Sequence, residues 1–379
     1  MAALVGDGYY MSFEDKIGFL KKEELESFKS FVAKNFFDKY ILTDDKFLSW
    51  QYGFKERSST LKGGDFSIAV IRDKGNIFGY LGIVPLKYKM GSKVIDFKIY
   101  VNLLVDPRVR SLGLGTLLME FGMRQTEAAA VFGYNPQTVS IYKKLGSWEE
   151  MGDLNRYIAI YNADKVTGLL KEDRSLSDFL KDKQIKVDEN INKEISFSYE
   201  KEFGNDFDQF WFLVRERYEI TVERTSDYMN WRYTNHPHLS YKIIVGRVGR
   251  IIKGYVIFRF ETVGKFKIAR IIDMVVEQGM EKYFLGYFNK EVAEQGASMA
   301  DFMLGGDYYR EDLLDSGWFL SRESGMKNYP ILFNPVHYGR TNINFMVYKK
   351  KKLSGNFFYK PNLWMVTKGD GDQDRPNPH

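Results

Sequence analysis

The 379-residue sequence contains no cysteine and only four histidines. Without thiols there is no disulfide framework, no cysteine nucleophile and no thiolate metal site, and imidazole chemistry is confined to four positions. A dominant charge is also missing. The 55 Lys and Arg stand against 50 Asp and Glu, a net charge of +5, with the signs interspersed, so no basic stripe of the kind that tracks a nucleic-acid backbone is present. No apolar run approaches the roughly 20 residues of a membrane-spanning helix, and the opening MAALVGDGYYMSFEDK lacks the basic-then-apolar pattern of a leader. A soluble cytoplasmic protein is expected, with no metal, no nucleic acid and no membrane insertion. What the chain has is apolar mass. At 44% hydrophobic and 16% aromatic residues it can bury a sizeable core, and a soft prior of roughly 150 residues per domain suggests two or three domains.

One segment carries most of the chemical information. Residues 99–105, rich in β-branched and apolar side chains, read as a buried strand. The strand runs into Arg110, Ser111, Leu112, Gly113, Leu114, Gly115 and Thr116, where an apolar helix opens. Glycines let backbone N–H groups turn inward without Cβ obstruction, and the positive end of the helix dipole points the same way. Arg108 and Arg110 add cationic side chains, so the turn suits a pyrophosphate. A second apolar strand at 128–132 leads to Asn135 and Pro136, which start a short helix bearing Tyr142 and ending at Gly146, with Trp148 beyond.

Strand, RxxGxG turn, helix, strand, then Asn and a Tyr-bearing helix resembles the core of the GNAT acetyltransferase superfamily. The resemblance implies an α+β fold, each domain a mixed, mostly antiparallel twisted sheet flanked by helices. It also implies that acyl-CoA is the donor. Its pyrophosphate would lie on the amides from Arg110 to Gly115, with Thr116 at the helix start. The backbone of Asn102, Leu103, Leu104 and Val105 would take the pantetheine arm and acyl carbonyl. Asn135 corresponds to a frequent Asn across the splayed strands, and Tyr142 to a Tyr that protonates the departing thiolate, a role a positioned hydroxyl can fill.

The chain also repeats itself. Phe47-Leu48-Ser49-Trp50-Gln51-Tyr52 is echoed by Tyr228-Met229-Asn230-Trp231-Arg232-Tyr233, about 180 residues later, a period that points to duplication. Gly79-Tyr80-Leu81 pairs with Gly254-Tyr255-Val256, Asn102 to Asp106 with Asp273 to Glu277, and Gly146/Trp148 with Gly317/Trp318. After Val276 the glycine turn is missing. We therefore expect a catalytic domain at 1–163, a polar linker at 164–200, and a degenerate GNAT-like domain at 201–379 that helps bind the acceptor. A helix at 23–36, a loop carrying Phe47 to Tyr52, and a hairpin turn at Asp73-Lys74-Gly75-Asn76 are expected in the first half. In the second we expect helices at 206–217 and 280–295, with a strand at 299–304. A late strand at 345–349 is expected at a sheet edge, and the alternating Asp370 to Asp374 stretch as a solvated polar tail.

For the acceptor, Trp50, Tyr52, Trp231, Arg232 and Tyr233, with His236 and His238 nearby, are candidates to form a wall that stacks a ring and pairs an anion. Trp50 and Trp231 also read as equivalent core anchors. Asp273 takes the repeat position of Asn102 on an apolar strand and needs a partner, either a substrate or an Arg. His236, His238 and Asp273 are the residues to test as base; transfer through water stays open. The two-copy plan resembles bacterial sugar N-acyltransferases of surface-polysaccharide (lipopolysaccharide, O-antigen) pathways. That implies an amine on a dTDP-linked amino-dideoxy sugar as acceptor and an acetyl or 3-hydroxybutyryl donor. A Fem-type aminoacyl transferase and a non-catalytic acyl-CoA sensor are the alternatives.

Overall fold

A computed structural model describes residues 2–5, 9–12, 16–36, 40–54, 61–170, 174–186, 194–324, 332–333, 336–337, 342–353 and 356–376. In the first half the chain forms β1 (Ile17–Leu20), helix α1 (Leu25–Asn35), helix α2 (Asp45–Tyr52), β2 (Phe66–Asp73), β3 (Asn76–Met90) and β4 (Lys93–Val105). Helix α3 (Leu114–Arg124), β5 (Ala128–Phe132), helix α4 (Val139–Leu145) and β6 (Trp148–Asp153) follow. The turn between β2 and β3 holds Lys74 at φ 48° and Gly75 at φ 78°, the pair of positive φ angles that a two-residue hairpin requires. Residues 47–52 lie on α2 and not on a loop, because the Asp44 carboxylate accepts the Phe47 amide at 2.7 Å and caps the helix.

The first half ends with β7 (Asn155–Ile160), and β8 (Ser196–Glu200), helix α5 (Asn205–Val214), β9 (Lys242–Val248), β10 (Ile251–Val263) and β11 (Phe266–Val276) follow in the second. Helix α6 (Glu281–Glu294), β12 (Met299–Leu304), β13 (Phe319–Leu320) and β14 (Asn344–Lys349) complete it. One sheet runs β1-β2-β3-β4-β5-β14-β6, extended along β3 by the short strands Ile220–Val222 and Trp364–Met365. The other runs β8-β9-β10-β11-β12-β7-β13. Both are mixed and mostly antiparallel; β4/β5 and β11/β12 are parallel at matching places, with helices on their faces.

The sheets exchange one strand each. β7 leaves the first half to pair with β12 and β13, and β14 returns to pair with β5 and β6. Only Leu154 separates β6 from β7, one residue too few for a tight hairpin, so the chain passes to the other sheet. Two strands therefore cross the expected division near residue 163. The expected linker contains helices Ala163–Leu170 and Arg174–Asp182 and all of β8; residues 171–173 and 187–193 lie outside the described residues. β14, expected at an edge, is interior, and its unbroken buried run Phe345-Met346-Val347-Tyr348 suits a strand covered on both faces.

A local two-fold relation joins the halves. Trp50 and Trp231 stack with ring centroids 4.9 Å apart, and each indole N–H donates to the other's backbone carbonyl, at 2.8 and 2.9 Å. The pair sits on the core that α2 shares with the Ser226–Met229 helix. Among the described residues no helix is long and apolar enough to cross a membrane.

Candidate active site

β4 and β5 pair only at Phe97–Ile99 with Ala128–Ala130. Beyond that point the strands diverge, leaving the facing backbone groups of 100–105 and 131–132 on either side of a gap. Tyr80 pairs with Leu104 and Gly82 with Val101, so β4 carries one residue too many and bulges. Asn102 absorbs the bulge at φ 56°, a left-handed conformation that Asn tolerates better than most residues. Asn102, Leu103 and Leu104 are half-buried. At the wide end of the gap a 3-10 turn, Pro107–Leu112, ends on Gly113 at φ 75°, and α3 begins. The amides of Thr116 and Leu117 bond the Gly113 carbonyl, whereas helix geometry provides no acceptor for those of Leu114 and Gly115. Gly115 allows close packing: a Cβ there would lie 3.2 Å from Ile141 Cδ1.

The cations of the turn are partly engaged. Arg108 folds onto Asp106 at 2.6 Å and holds that carboxyl down at about 2, while Arg110 Nε donates to the Val105 carbonyl at 3.2 Å. Ser111 is exposed and Leu112 half-buried. Tyr142 is buried between Trp148 and the edge of Tyr134, with ring centroids at 5.1 and 6.0 Å. Burial raises its phenol above the ordinary range and keeps it protonated, as a proton donor requires. The exposed Asn135 caps the next turn by accepting the Gln137 amide at 3.0 Å.

The second half lacks the corresponding opening. Where α6 starts, the buried Glu281 carboxylate accepts the Gly279 amide at 2.7 Å and pairs with Arg217. A carboxylate thus occupies the helix end where an external anion would bind. Arg217 and Tyr309 also donate to the Val276 and Met274 carbonyls of β11, at 3.2 and 3.4 Å.

The acceptor candidates fall largely into the core. Asp273 is fully buried and held by Arg224, at 2.9 Å, by the Tyr233 hydroxyl at 3.3 Å and by its neighbour's amide. The partner foreseen for it is therefore an Arg, and no open face remains for a substrate. Arg232 is buried and clamps residues 369–374 through the carbonyls of Gly369, Gly371 and Asp374, the first at 2.6 Å. His236 packs against Trp50, and its Nδ1 accepts the amides of His238 and Leu239 at 3.1 and 3.0 Å. Burial pushes its imidazole down to about 3, too low for a base at neutral pH. His238 bonds Asp44 at 2.8 Å, beside the cap of α2. His238 is exposed, and Trp231 borders a cleft of about 1140 Å³ between the halves that also meets Lys46, Trp50, Lys87, Lys98 and Tyr228.

The stretch expected to be a solvated tail is instead buried. Asp370, Asp372 and Asp374 are all covered, and Asp370 pairs with Arg224 and Asp374 with Arg259, at 2.8 and 2.7 Å. Buried carboxylates demand such partners. The same stretch brings residues to the gap that the sequence did not single out. Arg375 donates to the Asn102 side-chain oxygen at 2.6 Å, and Gln373 to the Phe132 carbonyl at 3.0 Å. Tyr40 and Tyr52 also reach Asn102, at 3.2 and 3.4 Å. The repeat offered a clue to Tyr52, since its counterpart Tyr233 meets Asp273, although Tyr233 donates to the carboxylate whereas Tyr52 accepts from the Asn102 amide.

No protein-family model and no curated protein sequence matches the chain. Solved structures do. A GCN5-related N-acetyltransferase from Anabaena variabilis superposes with a TM-score of 0.58 at 12% identity, over 88% of this chain and 72% of its own. The fold is that of the GCN5-related N-acetyltransferases. A conserved Enterococcus faecalis protein of unknown function, described as a probable N-acyltransferase, gives 0.56 at 10% identity, over 87% of this chain and 71% of its own. The superposed span takes in residues of both halves, and the turns after β4 and β11 occupy equivalent places in the two sheets.

Proposed function

We propose that the protein is an acyl-CoA-dependent N-acyltransferase with one working site, in the first half. The observation that carries this reading is the pairing of an open helix end at Gly113–Gly115 with the gap between β4 and β5. An anionic pyrophosphate fits the first, and an extended amide-bearing arm fits the second, where strand edges offer backbone partners. The three residues from Val105 back to Asn102 span about 10 Å of strand, bringing a thioester to the bulge. Tyr142, which burial keeps protonated on the adjoining helix, supports the acid role. The filled second-half turn supports a single site.

Within this reading, the acceptor implied by the sequence resemblance is the amine of a dTDP-linked amino sugar, with an acetyl or 3-hydroxybutyryl donor. The inter-half cleft is large enough for a nucleotide sugar and is bordered by Trp50, Trp231 and Tyr228, with Lys46 and Lys98 among cations of which Lys87 and Arg215 are already paired with Asp96 and Glu223. A thiol-release assay with acetyl-CoA and 3-hydroxybutyryl-CoA against amino sugars, free and dTDP-linked, tests both levels. Release that needs the amine supports acyl transfer. CoA binding without transfer to any amine would instead favour a sensor.

A further inference from the structure

Residues 364–376 are fixed along their length. Trp364–Met365 extends the first sheet, the Val366 carbonyl accepts the Gly305 amide at 2.7 Å, and Arg224, Arg232 and Arg259 hold Asp370, the backbone and Asp374 in turn. Those anchors stop at Asp374 and skip Asp372. The Asp372 carboxylate belongs to a different network, one that spans the gap between β4 and β5. From the β5 side, Gln373 Nε2 donates to the Phe132 carbonyl at 3.0 Å and to Asp372 Oδ1 at 2.7 Å. From the β4 side, Arg375 Nη1 donates to Asn102 Oδ1 at 2.6 Å and to Asp372 Oδ2 at 3.0 Å. The carboxylate thus hangs between the two strand ends, about level with the bulge, and only 6% of Asp372 is exposed. Tyr40 and Tyr52 close the same corner through Asn102, and the Arg375 guanidinium lies over the Tyr40 ring.

An amine binds as an ammonium ion, which a carboxylate stabilises, but it attacks a thioester only as the free base, so its proton passes to that carboxylate or to water before the C–N bond forms and the thiolate leaves. Asp273, Asp374 and Glu281 are each ion-paired with an Arg, and so is Asp372; what sets Asp372 apart is that its partner Arg375 also bonds Asn102 at the bulge. A carboxylate has about four lone-pair sites, and Gln373 and Arg375 take one on each oxygen of Asp372. We propose that Asp372 is the acceptor-anchoring residue of the site, receiving the primary ammonium group of the acceptor in the mouth of the gap, and that Arg375 and Gln373 are positioning residues that aim it. This rests on the acyl-transfer reading. Segment 371–375 is then part of the working site, supplied across the molecule to the first sheet. Sequence distance hid the link, since 270 residues and more separate Asp372 from Asn102.

The test compares wild type with D372N, which keeps the shape and removes the charge. Acetyl-CoA is the donor, and the best substrate among ethanolamine, glucosamine and lysine is the acceptor. Loss of a charge-assisted hydrogen bond should raise the amine KM about 10- to 100-fold while CoA affinity by calorimetry stays near wild type; the thermal midpoint falls on either reading because Arg375 loses its partner, so CoA affinity is the discriminating readout. A merely structural role would shift CoA affinity together with KM. If D372N does not fold, D372E serves: it retains the carboxylate at a displaced position, and a KM rise of threefold or more with unchanged CoA affinity is expected. Wild-type transfer with an unchanged amine KM in the folded variant overturns this proposal alone. A wild-type protein that acylates none of the amines overturns the acyl-transfer reading, and this proposal with it.

Discussion

Replacing Gly113 by Val should abolish useful acyl-CoA binding while leaving the protein folded. Gly113 sits at φ 75°, and a β-branched residue there has two choices. It can keep the left-handed conformation at a cost of about 1–2 kcal/mol, or rotate out of it and carry the amides of Leu114 and Gly115 away from the turn. Each N–H that bonds a charged phosphate contributes about 1.5–3 kcal/mol, so losing both costs about 3–6 kcal/mol, a weakening of roughly 10²- to 10⁴-fold in Kd. Isothermal titration with CoA measures it, and circular dichroism confirms the fold. Gly279 supplies the control. It has φ 88° and open space around its Cβ position at the equivalent turn of the second half, where Glu281 accepts its amide. Gly279→Val should bear the same strain and leave CoA affinity unchanged. A folded Gly113→Val protein that binds CoA within threefold of wild type would refute the assignment of the turn.

Tyr142→Phe should lower turnover about 10²-fold or more, with CoA affinity within twofold; full turnover removes the hydroxyl from the mechanism. His236 makes a pH prediction. Its folded pKa of about 3 lies below the ordinary 6.5, so between those values the unfolded chain binds the extra proton and stability falls as the pH falls. From pH 7 to 5 this amounts to about 2 kcal/mol, and urea unfolding of His236→Gln should show that much less loss; equal losses would count against a buried neutral imidazole. Finally, residues 1–163 expressed alone should lack a cooperative melting transition, because β14 is missing from between β5 and β6. A sharp melt of that fragment would contradict the strand exchange.

The elements of the proposed donor site were legible because their signals are local. A strand, a glycine turn and a helix start lie within residues 99–116, and periodicity and φ requirements read directly from such a stretch. The repeat marked Trp50 and Trp231 as equivalent anchors, but their stacking on each other and their reciprocal hydrogen bonds came only from the structure. What escaped was non-local. Nothing near residue 345 says that its strand fills a slot left open at residues 128–153, and nothing near Asp370 says that Arg224 and Arg259 wait for it. The alternating aspartates read as solvated because composition favours that, until the guanidinium partners come into view. Arg232 and Asp273 were attractive as acceptor residues for the same reason that they are structural: isolated charges in apolar surroundings need partners, and here the chain supplies them.

The exchange of β7 and β14 bears on how this protein is made. When β6 leaves the ribosome, the first sheet has an empty slot between β5 and β6, and the strand that fills it lies roughly 190 residues ahead, some 10–40 s of synthesis at typical rates. Throughout that interval the nascent chain shows two apolar strand edges, a template for pairing with other chains. Yield in a cell is then governed by how well that slot is shielded during translation, and chaperones that cover strand edges should raise it more than any change that stabilises the finished fold.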